Sequence, residues 1–217
     1  AGPIGCMAAA IVRHAGARDM DAVPAALTAE EILAHVRRLQ AGYPHHSVSL
    51  TGGEPLLHVL FLNALLPRLR EAGWASYLET NGQLPEALAT LVEMPDYIAM
   101  DIKLPSTTGP AASWENSAAF LALAVSRIQT ETGVNVPERL QVKVVFGEDS
   151  LPEISRAAGI VAAINPDIPF VLQPVTPRAT GSPAPSPAVV LEAQRLVAGR
   201  LRTVRVIPQT HVMLAQW

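Results

Sequence analysis

The residues best suited to chemistry lie in short polar runs, and the most informative is Thr51-Gly52-Gly53-Glu54-Pro55. Glycines reach left-handed backbone angles and let a ligand or another strand come close. Pro55 suits the first turn of a helix, where its missing N–H costs nothing. Glu54 therefore belongs at a helix entrance, beside exposed backbone donors. A strand, a Gly-Gly turn, a carboxylate and a helix start suit a ligand with an ammonium group. Four other runs are comparable: Glu79-Thr80-Asn81-Gly82, Asp101-Ile102-Lys103, Gln173-Pro174 and Pro208-Gln209-Thr210-His211. Each has a plain alternative reading. Glu79 and Asn81 fit turns, Asp101 and Lys103 fit a local ion pair of small worth, and His211 fits a surface position.

The elements that must position these runs follow from periodicity. Strands are expected at residues 8–14, 47–50, 74–78, 97–102, 140–146, 169–172 and 201–207. A polar loop is expected at 17–23, containing Arg18, Asp19 and Asp21. Helices are expected at 29–41, 55–72, 84–93 and 112–132, from about Ser150, and after Ser186-Pro187. Thr28 and Glu31 form a capping box, and Ile32, Leu33, Val36 and Leu39 recur at helical spacing behind it. Residues 176–187, rich in Pro, Ser, Gly and Ala, read as a loop. Short Val/Ile/Leu-rich strands alternating with helices imply a parallel sheet covered by helices. About seven strands are too few for a closed eight-stranded barrel, so the expected fold is a single α/β domain over residues 1–217, a partial (βα) barrel of about six or seven parallel strands. In such sheets ligands bind beyond the carboxyl ends of the strands, where every polar run above falls. Carboxylates, a lysine and amides on one rim suit a polar, zwitterionic small molecule.

Composition narrows the class. The 217 residues are 49% hydrophobic and 16% charged, with a net charge of −3, so a compact globular chain is expected. No basic surplus points to nucleic acid or an anionic membrane. No run is long and apolar enough to span a bilayer, and no signal peptide pattern is present. The single cysteine, Cys6, excludes an internal disulfide framework and fits a reducing compartment, so a cytoplasmic location is expected.

The ordered set of motifs resembles the radical S-adenosylmethionine (SAM) superfamily, and in finer pattern the 7-carboxy-7-deazaguanine synthases of queuosine and 7-deazapurine biosynthesis. Thr51-Gly52-Gly53-Glu54-Pro55 matches the methionine-binding turn. Gly2-Pro3-Ile4-Gly5-Cys6 with Ile11-Val12-Arg13 resembles the start of those proteins, and the four later runs follow in order. The resemblance implies that Gly52, Gly53 and Glu54 hold the methionine amino group of SAM, and that Asp101, Lys103 and Gln173 line the rest of its pocket. It places Thr51, Glu79 and His211 near a pterin-like substrate. It further implies a carbon–nitrogen lyase that uses SAM, a 4Fe–4S cluster and magnesium to convert 6-carboxy-tetrahydropterin to 7-carboxy-7-deazaguanine. A flavodoxin or ferredoxin reductant and a homodimer belong to the same implication.

One departure is large. Such proteins carry Cys-x-x-x-Cys-x-x-Cys after the first strand, because three thiolates hold the cluster and leave one iron open for SAM. Here that loop reads Ala17-Arg18-Asp19-Met20-Asp21-Ala22-Val23-Pro24, and Cys6 precedes the strand. Asp19 and Asp21 are hard donors, poorly matched to an iron–sulfur cluster. The Asp-Thr segment that helps hold magnesium is missing too. The expected function is therefore that of a 7-carboxy-7-deazaguanine synthase-like protein, inactive as written. The alternatives are a non-catalytic SAM- or nucleotide-binding protein on the same fold, and an unrelated α/β enzyme with Glu54, Glu79 and Asp101 around a divalent metal.

Overall fold

The computed structural model describes residues 9–12, 20–23, 27–42, 45–108, 113–131, 133–176 and 184–210, the first two segments as backbone only. Cys6, Arg18, Asp19 and His211 lie outside them. The strands β1 (Ala9–Val12) and β2 (Met20–Val23) pair antiparallel, Val12 opposite Met20, as a two-stranded unit. This corrects two expectations. The first strand does not extend the parallel sheet, and part of the expected loop at 17–23, Asp21 included, is strand. Connection length accounts for the sense of this pair: only residues 13–19 separate the two strands, whereas a parallel crossover takes roughly a dozen residues or more.

The six remaining strands make one sheet in sequence order, every pair parallel. They are β3 (Val48–Leu50), β4 (Ser76–Thr80), β5 (Tyr97–Asp101), β6 (Leu140–Phe146), β7 (Phe170–Pro174) and β8 (Val204–Val206). Strands that each neighbour the last, joined by helices, give the winding of a barrel rather than of a doubly wound sheet. The helices are α1 (Ala29–Gln40), α2 (Val59–Glu71), α3 (Pro85–Ala89), α4 (Pro105–Thr108), α5 (Trp114–Gln129), α6 (Val136–Arg139), α7 (Leu151–Ile164) and α8 (Pro187–Ala198).

Local chemistry explains several boundaries. The Thr28–Glu31 capping box at the start of α1 is formed in both directions, with Thr28 N donating to Glu31 Oε2 at 2.7 Å and Glu31 N to Thr28 Oγ1 at 3.3 Å. The Thr28 backbone N–H, and next the Thr28 hydroxyl at 2.8 Å, hold the Glu31 carboxyl below its ordinary range. Ser113 and Ser186 cap α5 and α8 through their hydroxyls.

Alternation along the strands separates two faces. Leu140, Val142, Val144 and Phe146 of β6 are buried, with Leu78, Ile98, Met100, Phe170 and Leu172, in the core shared with the helices. A fully buried side chain of this size contributes about 1.5–3 kcal/mol. The opposite face carries Tyr77, Glu79, Asp101, Gln141, Lys143 and Gln173, with Ala99, Val145 and Val171 among them, so it is mixed and mostly polar. One face of the sheet thus forms the core, and the other carries groups chemically suited to polar ligands. A second cluster, Ala29, Leu33, Leu65 and Leu69, joins α1 to α2.

Candidate functional site

The Gly-Gly turn leaves β3 with Gly52 at φ +95° and Gly53 at φ +56°. Both values lie in the region that L side chains disfavour, and no atom of the described residues stands within 4 Å of where a Cβ would sit at either position. The glycines are required by backbone angle, and the space above them is open. Pro55–His58 is a 3₁₀ turn leading into α2, with Glu54 as its N-cap.

Glu54 is 8% exposed, and its carboxylate turns into the protein. Oε1 accepts from Thr80 Oγ1 at 2.8 Å and from Leu56 N at 3.2 Å, and Oε2 accepts from Asn81 N at 2.8 Å. A carboxylate offers about four acceptor positions, so internal donors take most of them. From the sequence, Glu54 is expected at a helix entrance and as a ligand contact. In the structure it also clamps the turn after β3 to the end of β4. Thr80 and Asn81 are half of this clamp, and Thr80 Oγ1 in turn accepts from Gly82 N at 3.2 Å.

Around this clamp lies a cleft of 160 Å³, lined by Thr51, Gly53, Glu79, Asp101 and Lys103 and also by Thr80, Asn81, Ala99 and Lys143. It sits at the carboxyl ends of β3, β4 and β5. The expected convergence on one end of the sheet is therefore seen for these residues, and Glu54 meets the same end through Thr80 and Asn81. Glu79 lies within β4 rather than in the turn after it. Gln173 stands on the same face at the end of β7, outside the cleft lining, with its neighbour in register Val145. Gln209 has an internal partner, accepting from Thr176 N at 3.0 Å through its side-chain oxygen.

Electrostatically the cleft has two parts. Asp101 is 16% exposed and binds Lys103 Nζ through Oδ2 at 2.7 Å, with Lys143 Nζ 3.6 Å from the same oxygen. Asp101 Oδ1 is buried and has no hydrogen-bond partner among the described residues. A buried acceptor without a donor costs about 1–3 kcal/mol, which a ligand hydroxyl or N–H would relieve. Glu79 lines the same cleft, and its carboxylate has no ion-pair or hydrogen-bond partner among the described residues. Burial, and next the Glu79 charge, push the Tyr77 hydroxyl above its ordinary range, while a hydrogen bond from Gln141 at 2.6 Å opposes this. Among the described residues no group of three His, Cys, Asp or Glu side chains is placed to hold a metal ion. The alternative of a Glu54, Glu79 and Asp101 metal site is not supported by this arrangement, since the clamp takes most of the acceptor capacity of Glu54.

Sequence reasoning missed Lys143. It sits mid-strand, whereas the expected site residues lie at or beyond strand ends. The available signal was the alternation Leu140-Gln141-Val142-Lys143-Val144, which puts Gln141 and Lys143 on the polar face.

A family profile described as the radical SAM superfamily matches residues 6–136. The chain belongs to the radical SAM superfamily. Within it, the chain is 41% identical over 204 residues to the 7-carboxy-7-deazaguanine synthase of Geobacter sulfurreducens, covering 93% of this chain and 76% of that relative. A protein of the same name from Thermococcus kodakarensis is 33% identical over 71% of this chain and 57% of its own length. Among solved structures, QueE from Escherichia coli superposes with a TM-score of 0.51 at 19% identity, over 88% of this chain and 65% of that one. A domain of pyruvate-formate lyase-activating enzyme from Bacteroides vulgatus gives 0.55 at 17% identity, over 75% and 99%. These structures show the shared α/β fold. The chain is thus a 7-carboxy-7-deazaguanine synthase-like radical SAM protein, and no described helix is long and apolar enough to cross a membrane. Membership of the radical SAM superfamily implies SAM and a 4Fe–4S cluster.

Proposed function

We propose that this radical SAM protein holds SAM and a carboxylated pterin in the cleft at the strand ends, in the manner of 7-deazapurine biosynthesis, and that the chain as written binds them without generating a radical. The observation that carries the reading is the cleft itself. It joins the Gly-Gly turn to Glu79, Asp101 and Lys103, in a chain 41% identical to a 7-carboxy-7-deazaguanine synthase.

The residues fit SAM. Open backbone at Gly52 and Gly53, with the remaining acceptor capacity of Glu54, suits the methionine ammonium. Lys103 suits the carboxylate, and the orphaned Asp101 Oδ1 suits a donor. Gln173 extends the set on the same face of the sheet, and the resemblance assigns Thr51, Glu79 and His211 to the pterin. The residues do not fit the cluster. A 4Fe–4S centre of this kind needs three thiolates, and the chain has one cysteine. Carboxylates at Asp19 and Asp21 are hard donors that do not stand in for them.

Calorimetry with SAM and with S-adenosylhomocysteine tests the retained pocket. Weak binding of both is expected, because no cluster chelates the amino-acid end. No heat from either ligand, with correctly folded protein, overturns the reading.

A further inference from the structure

We infer that Lys143 and Ala99, neither assigned a role above, determine which substrate the cleft accepts: Lys143 grips a carboxylate, and Ala99 is the bare floor beneath a flat heterocycle. The inference rests on the pterin reading and specifies it. Strand register supplies the geometry. Glu79 is opposite Ala99, and Ala99 is opposite Gln141, so these three form one row across β4, β5 and β6. Asp101 and Lys143 are opposite each other, two residues further toward the open end. Neighbouring strands are about 4.8 Å apart and alternate residues about 6.7 Å, so the backbones of Glu79 and Lys143 stand roughly 12 Å apart on the diagonal. Two long side chains reaching inward narrow this to the length of a small fused-ring acid.

The charges have opposite sign at the two ends. Glu79 has no partner among the described residues and offers an acceptor for N–H groups. At the other end two ammonium groups share one carboxylate oxygen, Lys103 at 2.7 Å and Lys143 at 3.6 Å. Asp101 neutralises one of them, and Lys143, the more distant, keeps its charge for an anion. Between the poles Ala99 is 8% exposed and lines the cleft with only a methyl group. A larger residue there would fill the space that a planar ring needs.

The test measures binding of pterin-6-carboxylate and of unsubstituted pterin, by fluorescence, to the full chain and to Lys143→Met, Lys143→Arg and Ala99→Leu. S-adenosylhomocysteine binding and thermal melting serve as controls. The wild-type chain is expected to prefer the carboxylated probe about tenfold, the scale of one charge-assisted hydrogen bond. Lys143→Met should erase that preference while leaving pterin itself unaffected, and Lys143→Arg should keep part of it. Ala99→Leu should weaken both pterins. If Lys143→Met weakens both pterins and S-adenosylhomocysteine equally, Lys143 acts only through Asp101 and the grip is disproved. If Ala99→Leu binds both pterins as the wild type does, the floor is disproved. A wild-type chain that binds both pterins equally overturns this inference alone, whereas one that binds neither overturns the pterin reading together with it. A variant that fails to melt cooperatively is replaced by Lys143→Gln or Ala99→Val, with the same outcomes.

Discussion

Single residues here carry more than one duty, and Glu54 shows it best. Its carboxylate accepts from Thr80, Asn81 and Leu56 while standing beside the Gly-Gly turn. Replacing it with Ala strands three donors in a mostly buried place. Glu54→Ala is expected to cost about 2–3 kcal/mol of stability, the scale for losing hydrogen bonds to a charged group and leaving donors unsatisfied. Chemical denaturation would show this as a lower midpoint at an unchanged slope. An unchanged midpoint would mean that water replaces the carboxylate without cost. The sequence reading placed Glu54 at a helix entrance correctly, because a Pro after an acidic residue is a local signal. The partners at the end of β4 and just after it lie 26 and 27 positions away, which no local signal reveals.

At the scale of elements, the turn after β4 is the tightest joint. Gly82 has φ +66°, and a Cβ there would lie 2.3 Å from Met100 Cε and 2.9 Å from Met100 Cγ. Met100 is fully buried on β5, so it has little room to retreat. The left-handed angle alone costs a non-glycine residue about 1–2 kcal/mol. Gly82→Ala should therefore destabilise by roughly 2–3 kcal/mol, since overpacking adds to the backbone penalty. Thermal unfolding measures it, and a loss below about 1 kcal/mol would show that Met100 repacks freely. The same turn ends the strand that carries Glu79, so its geometry sets where that carboxylate points. Element boundaries were legible where caps mark them, at Thr28 and Ser186. They were less so at β4, where Glu79 and Thr80 read as a turn and belong to the strand.

For the whole molecule, the decisive fact is the mismatch between a radical SAM fold and a thiol count of one. Met20–Val23 pairs antiparallel with Ala9–Val12 as β2, within the stretch 17–24 where the resemblance calls for a loop with three cysteines. Anaerobic reconstitution with iron and sulfide is expected to leave a colourless protein with well under one cluster per chain. No 5′-deoxyadenosine should form from SAM under dithionite. Grafting a longer three-cysteine loop between β1 and α1 should give a brown protein if the cleft is intact. Stoichiometric iron and SAM cleavage by the unaltered chain would disprove the reading of this loop.

Read alone, the sequence determined the α/β class, the parallel repeat and the end of the sheet that bears the polar runs. Those depend on local periodicity, turn chemistry and the rule that ligands meet parallel sheets at their carboxyl ends. It also determined that three thiolates are missing, which is a matter of counting. Tertiary structure decided the rest. Strand register put Lys143 beside Asp101, 42 positions away in the chain by subtraction of their numbers, and set Ala99 between Glu79 and Gln141. It also moved the first strand out of the parallel sheet into a hairpin. Register and strand partnership are non-local: they follow from which faces must be buried together, and no window of neighbouring residues contains that information.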